Sequence, residues 1–237
     1  MEFFGWFLEH LEFWFQEHED YADANTTVED FKFGVEKTSM CHTCSCRETL
    51  PIGYEKCLLC KYDERLDTAK LNELVEEACD STEERYNIDC DECGTKKQET
   101  KTYQTSITTF PRYLLLQVER SRCKPVKDDE GNPILDKNKK AVVTYYTDST
   151  HVSYPRKSLK IFNKYEYKLT GLCHHEHGYD KKKKKEWKHY TCEIKNEHDE
   201  WILYDDGSAH LLHLNEDHVK NDCFFSTTAI YFLYEKI

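Results

Sequence analysis

His189 stands at the start of an apolar stretch, in Lys188-His189-Tyr190, and a pair of carboxylates, Asp205-Asp206, closes the next one, Trp201-Ile202-Leu203-Tyr204. The two stretches read as strands joined by a polar turn. An imidazole can take a proton from a thiol or hydroxyl when its other ring nitrogen is held by an acceptor, and a carboxylate on a neighbouring strand is a common holder. His189 is therefore a candidate catalytic base, Asp205 its orienting carboxylate and Asp206 a second polar support. The bland alternative is a surface or hydrogen-bonded core histidine, since the chain carries twelve histidines.

The second chemical signal is cysteine spacing. Cys41-His42-Thr43-Cys44 and Cys90-Asp91-Glu92-Cys93 are Cys-x-x-Cys pairs. Each can wrap a turn around one side of a metal, and two such turns complete a tetrahedral four-thiolate zinc site. Spacing alone leaves a rival open, because Cys57-Leu58-Leu59-Cys60 lies nearer the first pair and Cys46 is an extra thiol. The cluster His174-His175-Glu176-His177 is a weaker metal candidate, since consecutive residues on a strand point to opposite faces.

The elements that must position these residues are legible in outline. Phe3, Phe4, Phe7, Leu8, Leu11, Trp14 and Phe15 recur at helical spacing, which predicts an amphipathic helix over Met1 to Glu17. Charges interrupt it too often for a membrane span. Val28 to Gly34 alternates like a short strand, Leu66 to Cys79 has helical periodicity, and Thr102 to Thr109 is rich in β-branched residues. The apolar run Phe110-Pro111-Arg112-Tyr113-Leu114-Leu115-Leu116-Gln117-Val118-Glu119-Arg120 predicts a strand buried on both faces. Lys124 to Lys140 carries two turn clusters and predicts a surface hairpin, while the lysines at 181–185 predict a solvated loop ahead of His189.

A length of 237 residues with sixteen Tyr and twelve Phe can bury a substantial core. The net charge of −12 argues against nucleic acid, whose phosphates need a basic field, and favours a basic protein partner. Twelve cysteines, half of them in Cys-x-x-Cys pairs and with no signal peptide, are those of a metal binder in a reducing compartment. An intracellular location, cytoplasmic or nuclear, is expected.

Lys188-His189-Tyr190, Trp201 to Asp206, and Ala229-Ile230-Tyr231-Phe232-Leu233-Tyr234 together resemble the C-terminal boxes of the ubiquitin-specific protease family of cysteine peptidases. Those boxes run Gly-His-Tyr, Trp-x-x-Phe-Asp-Asp, and Ala-Tyr-x-Leu-x-Tyr. Glu2-Phe3-Phe4 is similar to the family's Glu-Phe-Leu helix, Phe110 to Arg120 to its central strand, Val152-Ser153-Tyr154-Pro155 to its Val-x-Phe-Pro phrase, and Tyr167 to His174 to its Tyr-x-Leu strand. The resemblance implies a structural zinc on Cys41, Cys44, Cys90 and Cys93, and places Cys57 and Cys60 on an apolar strand as buried thiols. It implies ubiquitin or a ubiquitinated protein as partner. Lysines stand where the family's loop before the histidine is glycine-rich, and lysine adopts positive φ poorly.

The implied fold is α+β: an antiparallel palm sheet, a zinc-tipped finger extension, and an N-terminal helix left from the thumb. As one incomplete domain it divides into helix and connector (1–27), fingers (28–109) and palm (110–237), with a surface insertion at 121–150. The family's nucleophilic cysteine and oxyanion asparagine would precede the Glu-Phe-Leu helix, and no matching segment occurs among these residues. Two functions follow as expectations: a deubiquitinase portion inactive on its own, or a non-catalytic module that binds ubiquitin or another partner.

Overall fold

A computed structural model describes residues 29–63, 65–128, 130–180, 185–214 and 216–237. The first part of the chain runs β1 (Phe33–Cys41), β2 (Arg47–Thr49), β3 (Gly53–Glu55), β4 (Leu58–Cys60), β5 (Thr68–Lys70), α1 (Leu71–Cys79), β6 (Asp80–Cys90) and β7 (Thr95–Ile107). It continues β8 (Tyr113–Val118), β9 (Ser121–Pro125), β10 (Val143–Thr147), β11 (His151–Tyr154), β12 (Leu159–Ile161), β13 (Tyr165–Asp180) and β14 (Lys185–Lys195). The last elements are β15 (Trp201–Asp205), β16 (Ser208–Leu211), α2 (Glu216–Asn221), β17 (Phe224–Ser226) and β18 (Ala229–Lys236).

The described residues are thus mostly β with two short helices, where an α+β balance was expected. The helix and connector expected over 1–27, and the lysines at 181–184, lie outside the described residues. The helix expected from Leu66 begins instead at Leu71. Thr68–Lys70 pairs in parallel with His151–Ser153 as β5, so an edge hydrogen-bond ladder overrides the apolar periodicity of those first residues. What remains as α1 buries Leu71, Leu74, Val75 and Cys79 on one side, as the three-and-four spacing requires.

Two sheets carry the candidate chemistry. The larger runs β16-β15-β14-β13-β18-β8-β4, with β12 on β13. The smaller runs β2-β1-β7-β6, with β3 on β1. In the larger sheet β8 is flanked by β18 and β4 and buries Leu114, Leu115, Leu116 and Val118. This is the continuous apolar strand its sequence predicts. Hairpin β9–β10 stands apart as a two-stranded sheet with Ile134, Leu135, Val142 and Val143 exposed. Its two turns repeat one device: the Asp128 carboxylate accepts from the Glu130 and Asn132 N–H groups, and Asp136 accepts from Asn138 and Lys140. That is why the turn clusters there read so clearly.

At the end of β8 the chain buries an arginine. Arg120 is 2% exposed and donates to the carbonyls of Ala229 at 2.7 Å, Thr150 and Ser226 at 2.8 Å, and Asp148 at 3.4 Å. One guanidinium thereby ties the end of β8 to β17, β18 and the entry of β11. Removing it leaves several buried carbonyls without donors, each a cost comparable to a lost hydrogen bond. Arg120→Ala is expected to destabilise the protein by about 3–5 kcal/mol in chemical denaturation. A loss under about 1 kcal/mol would mean that water replaces the guanidinium.

Candidate functional site

Strands β14 and β15 pair antiparallel, with Thr191 opposite Asp205. His189 precedes that pair by two residues and so projects from the same face of the sheet. His189 Nε2 lies 2.6 Å from Asp205 Oδ1. Among the described residues Asp205 is the side chain that hydrogen-bonds this ring. Asp206 follows with a left-handed φ of 47°, a conformation that Asp tolerates better than most residues. The three groups offer ligand atoms within 4.8 Å of one another. Glu176 faces His189 across the β13–β14 pair.

The electrostatics are one-sided. Asp205's hydrogen bond raises the His189 pKa above its ordinary value, helped by the charges of Asp206 and Glu176 and opposed by partial desolvation. A raised pKa means that the imidazolium persists above about pH 6.5. The side chains are one third and nearly one half exposed, so solvent limits the effect. An NMR titration of the His189 ring should give a pKa above the free value and lose that elevation in Asp205→Asn. An equal pKa in the two proteins would show that the bond does not form in solution.

Beside the dyad, on the same face, lies a half-buried polar cluster. His174 bonds Glu193 at 2.9 Å through Nε2 and Thr228 at 3.0 Å through Nδ1. Arg156 reaches the same Glu193 at 2.5 Å, and its guanidinium lies 4.2 Å from the Trp201 ring centroid and 4.6 Å from that of Phe224. Sequence reading missed this cluster. The available signal was a carboxylate, Glu193, in the middle of a strand whose neighbours are apolar. His175 points the other way and stacks on Tyr190 at 4.5 Å, so the four-residue histidine cluster divides between two faces. On that second face a groove of about 440 Å³ is lined by Gln117, His175, Trp187, Lys188, Tyr190 and Tyr231, among others.

The cysteine pairs converge at the far end of the smaller sheet. Cys41 ends β1, Cys90 ends β6, and Cys44 and Cys93 sit in the turns that follow. Gly94, with φ of 68°, lets the second turn reverse into β7. Cys44 and Cys90 Sγ atoms are 3.7 Å apart, Cys41 and Cys93 3.9 Å, and all four lie within 4.8 Å of one another. A tetrahedron with metal–sulfur bonds of about 2.3 Å has sulfur–sulfur edges of about 3.8 Å. The four thiols fit that geometry. Cys57 and Cys60 lie outside the group: Cys60 is fully buried at the end of β4, and burial pushes the Cys57 thiol up to about 12. The Cys46 thiol donates to the Arg47 carbonyl at 3.9 Å. No helix among the described residues is long and apolar enough to cross a membrane.

The same arrangement of sheets recurs in solved structures. A chain of the SAGA Ubp8/Sgf11/Sus1/Sgf73 DUB module bound to ubiquitin aldehyde matches with TM-score 0.55 and 17% identity, over 87% of this chain and 41% of that one. A yeast SAGA DUB module matches with TM-score 0.58 and 18% identity, over 92% and 45%. A SAGA DUB module bound to monoubiquitin matches with TM-score 0.55 and 18% identity, over 87% and 41%. The chain therefore spans less than half the length of these solved chains, and at such identity the likeness is one of fold. No curated protein sequence matches it. The family model for ubiquitin carboxyl-terminal hydrolase, however, runs through residues 1–234 and so through both cysteine pairs, the dyad and the last strand; by that match the chain belongs to the ubiquitin carboxyl-terminal hydrolase family.

Proposed function

We propose that these residues are the fingers and palm of a cysteine-type deubiquitinase domain, divided as 28–109 and 110–237 with an insertion at 121–150, and that His189 and Asp205 are its base and orienting carboxylate. The observation that carries this reading is the 2.6 Å bond from His189 Nε2 to Asp205 Oδ1. With Nε2–H donating to the carboxylate, Nδ1 is left to take a proton. The raised His189 pKa favours the imidazolium that forms when it does. A thiol placed at Nδ1 would pass its proton there, and the thiolate would attack the carbonyl at the ubiquitin C-terminus. An acyl-thioester forms, and the departing amine takes the proton from His189. Asp206 adds negative charge beside the imidazolium.

In this reading the four clustered thiols hold one structural zinc. Bound zinc draws the two turns together and fixes the fingers as a rigid arm. Ubiquitin, a folded ligand with a basic C-terminal tail, suits fingers (28–109) of net negative charge. A second reading, a ubiquitin-binding module without chemistry, is favoured by one observation: among the described residues no thiol bonds His189. Titrating zinc-loaded protein into isotope-labelled ubiquitin tests what the two readings share. Saturable shifts of ubiquitin resonances, kept in His189→Ala, are expected. Unchanged ubiquitin spectra at millimolar protein would refute both.

A further inference from the structure

Two cysteines serve neither the metal cluster nor the dyad, and they face each other. Cys173 on β13 is directly opposite Cys192 on β14. Both are half-buried, and the Cys173 thiol donates to the His174 carbonyl at 3.7 Å. Directly opposed residues in an antiparallel pair have Cα atoms about 4.5–5.5 Å apart, inside the span of about 4.4–6.8 Å that a disulfide bridges. The pair lies on the sheet face opposite His189, next to Tyr231 of β18, which is register-paired with Cys173 and lines the groove.

We propose that Cys173 and Cys192 form a redox site, closed to a cross-strand disulfide by a peroxide and reopened by a small dithiol. The polarity of the pair sets the order of events. The neighbouring Cys173 thiol, and after it the charge of His174, holds the Cys192 pKa below its ordinary value, while that of Cys173 is pushed up. Cys192 is therefore the first thiolate. Its sulfur attacks one peroxide oxygen, the O–O bond breaks, and a sulfenic acid forms as the other oxygen leaves as water after protonation. Cys173, giving up its proton, attacks that sulfur; the S–S bond forms and the second oxygen leaves as water. Two thiols lose two electrons and two protons in total, and one peroxide becomes two waters.

Four of the other described thiols do not compete on equal terms. Burial pushes Cys57 and Cys79 up to about 12 and Cys60 well above the ordinary thiol value, so all three stay protonated and unreactive. Cys123 is exposed on β9, and its register partner on β10 is Tyr145 rather than a second cysteine. The cross-link would pin the hairpin that carries His189. A loop of that size, once closed, should raise the melting temperature by about 5–10 °C.

The test uses the zinc-loaded chain, treated with hydrogen peroxide at a dose that leaves its zinc content unchanged, then alkylated and digested without reduction. The expected product is a peptide pair joined through Cys173 and Cys192, about 2 Da lighter than the sum of its parts, and separated again by dithiothreitol. In Cys173→Ser the Cys192 sulfenic acid should persist and be trapped by dimedone. The proposal is overturned if both residues remain open to alkylation after peroxide, if Cys192 goes to sulfinic acid while Cys173 is present, or if either pairs with a different cysteine.

Discussion

Replacing Cys90 and Cys93 together by serine will strip the protein of zinc, from one ion per chain in native mass spectrometry to none. Serine hydroxyls do not ionise near neutral pH and cannot stand in for thiolates. A four-thiolate zinc contributes on the order of 10 kcal/mol to the ordering of the segment that binds it. Cys41 and Cys90 are buried at 1% and 3% exposure, whereas most side chains of β6 are exposed. Amide protection along β6 and β7 should therefore fall with the metal, while β8 and β18 keep theirs. The paired control is Cys57→Ser with Cys60→Ser, which should retain the ion. Retention of zinc by the first variant and its loss from the second would move the metal to the other pair.

The 237-residue chain on its own will form no covalent adduct with ubiquitin bearing a thiol-reactive C-terminal electrophile. A histidine and a carboxylate activate a nucleophile but do not replace it. Four thiols are gathered in the fingers, Cys60 and Cys79 are buried in the core, and Cys173 and Cys192 lie on the face away from His189. Removing the nucleophile from a triad enzyme costs about a millionfold in rate. Hydrolysis of a ubiquitin amide substrate should accordingly stay at background. An adduct mapped to one cysteine and abolished in His189→Ala would show that a thiol of this chain does reach the ring, and the assignment of roles would have to change.

How much of this was legible depends on sequence distance. His189 and Asp205 were readable together because they sit on adjacent strands of one hairpin, where order and alternation nearly settle the geometry. Cys41, Cys44, Cys90 and Cys93 needed the family resemblance, because spacing left Cys57 and Cys60 as rivals. The Leu66 to Lys70 segment misled because its apolar residues fit a helix, while a parallel partner more than eighty residues later claimed it as a strand edge. Contacts such as Arg120 with Ser226, or Arg156 with Glu193, depend on which strands neighbour one another. Periodicity carries no information on that. The facing of Cys173 and Cys192 was hidden for a related reason: their register depends on the length of the connection between β13 and β14, which the lysine run does not disclose.

Strand order in the larger sheet also bears on how the chain comes to be folded in a cell. β8 has partners on both sides, and one of them is β18, with Leu116 opposite Phe232. The two are separated by more than a hundred residues. At a synthesis rate of about 10 residues per second, β8 waits roughly ten seconds for that neighbour. During the wait Leu114, Leu115 and Leu116 form a sticky, uncharged segment outside the ribosome. Such long-range pairing makes folding slow, so nascent chains should depend on a chaperone that shields this strand until the last one arrives.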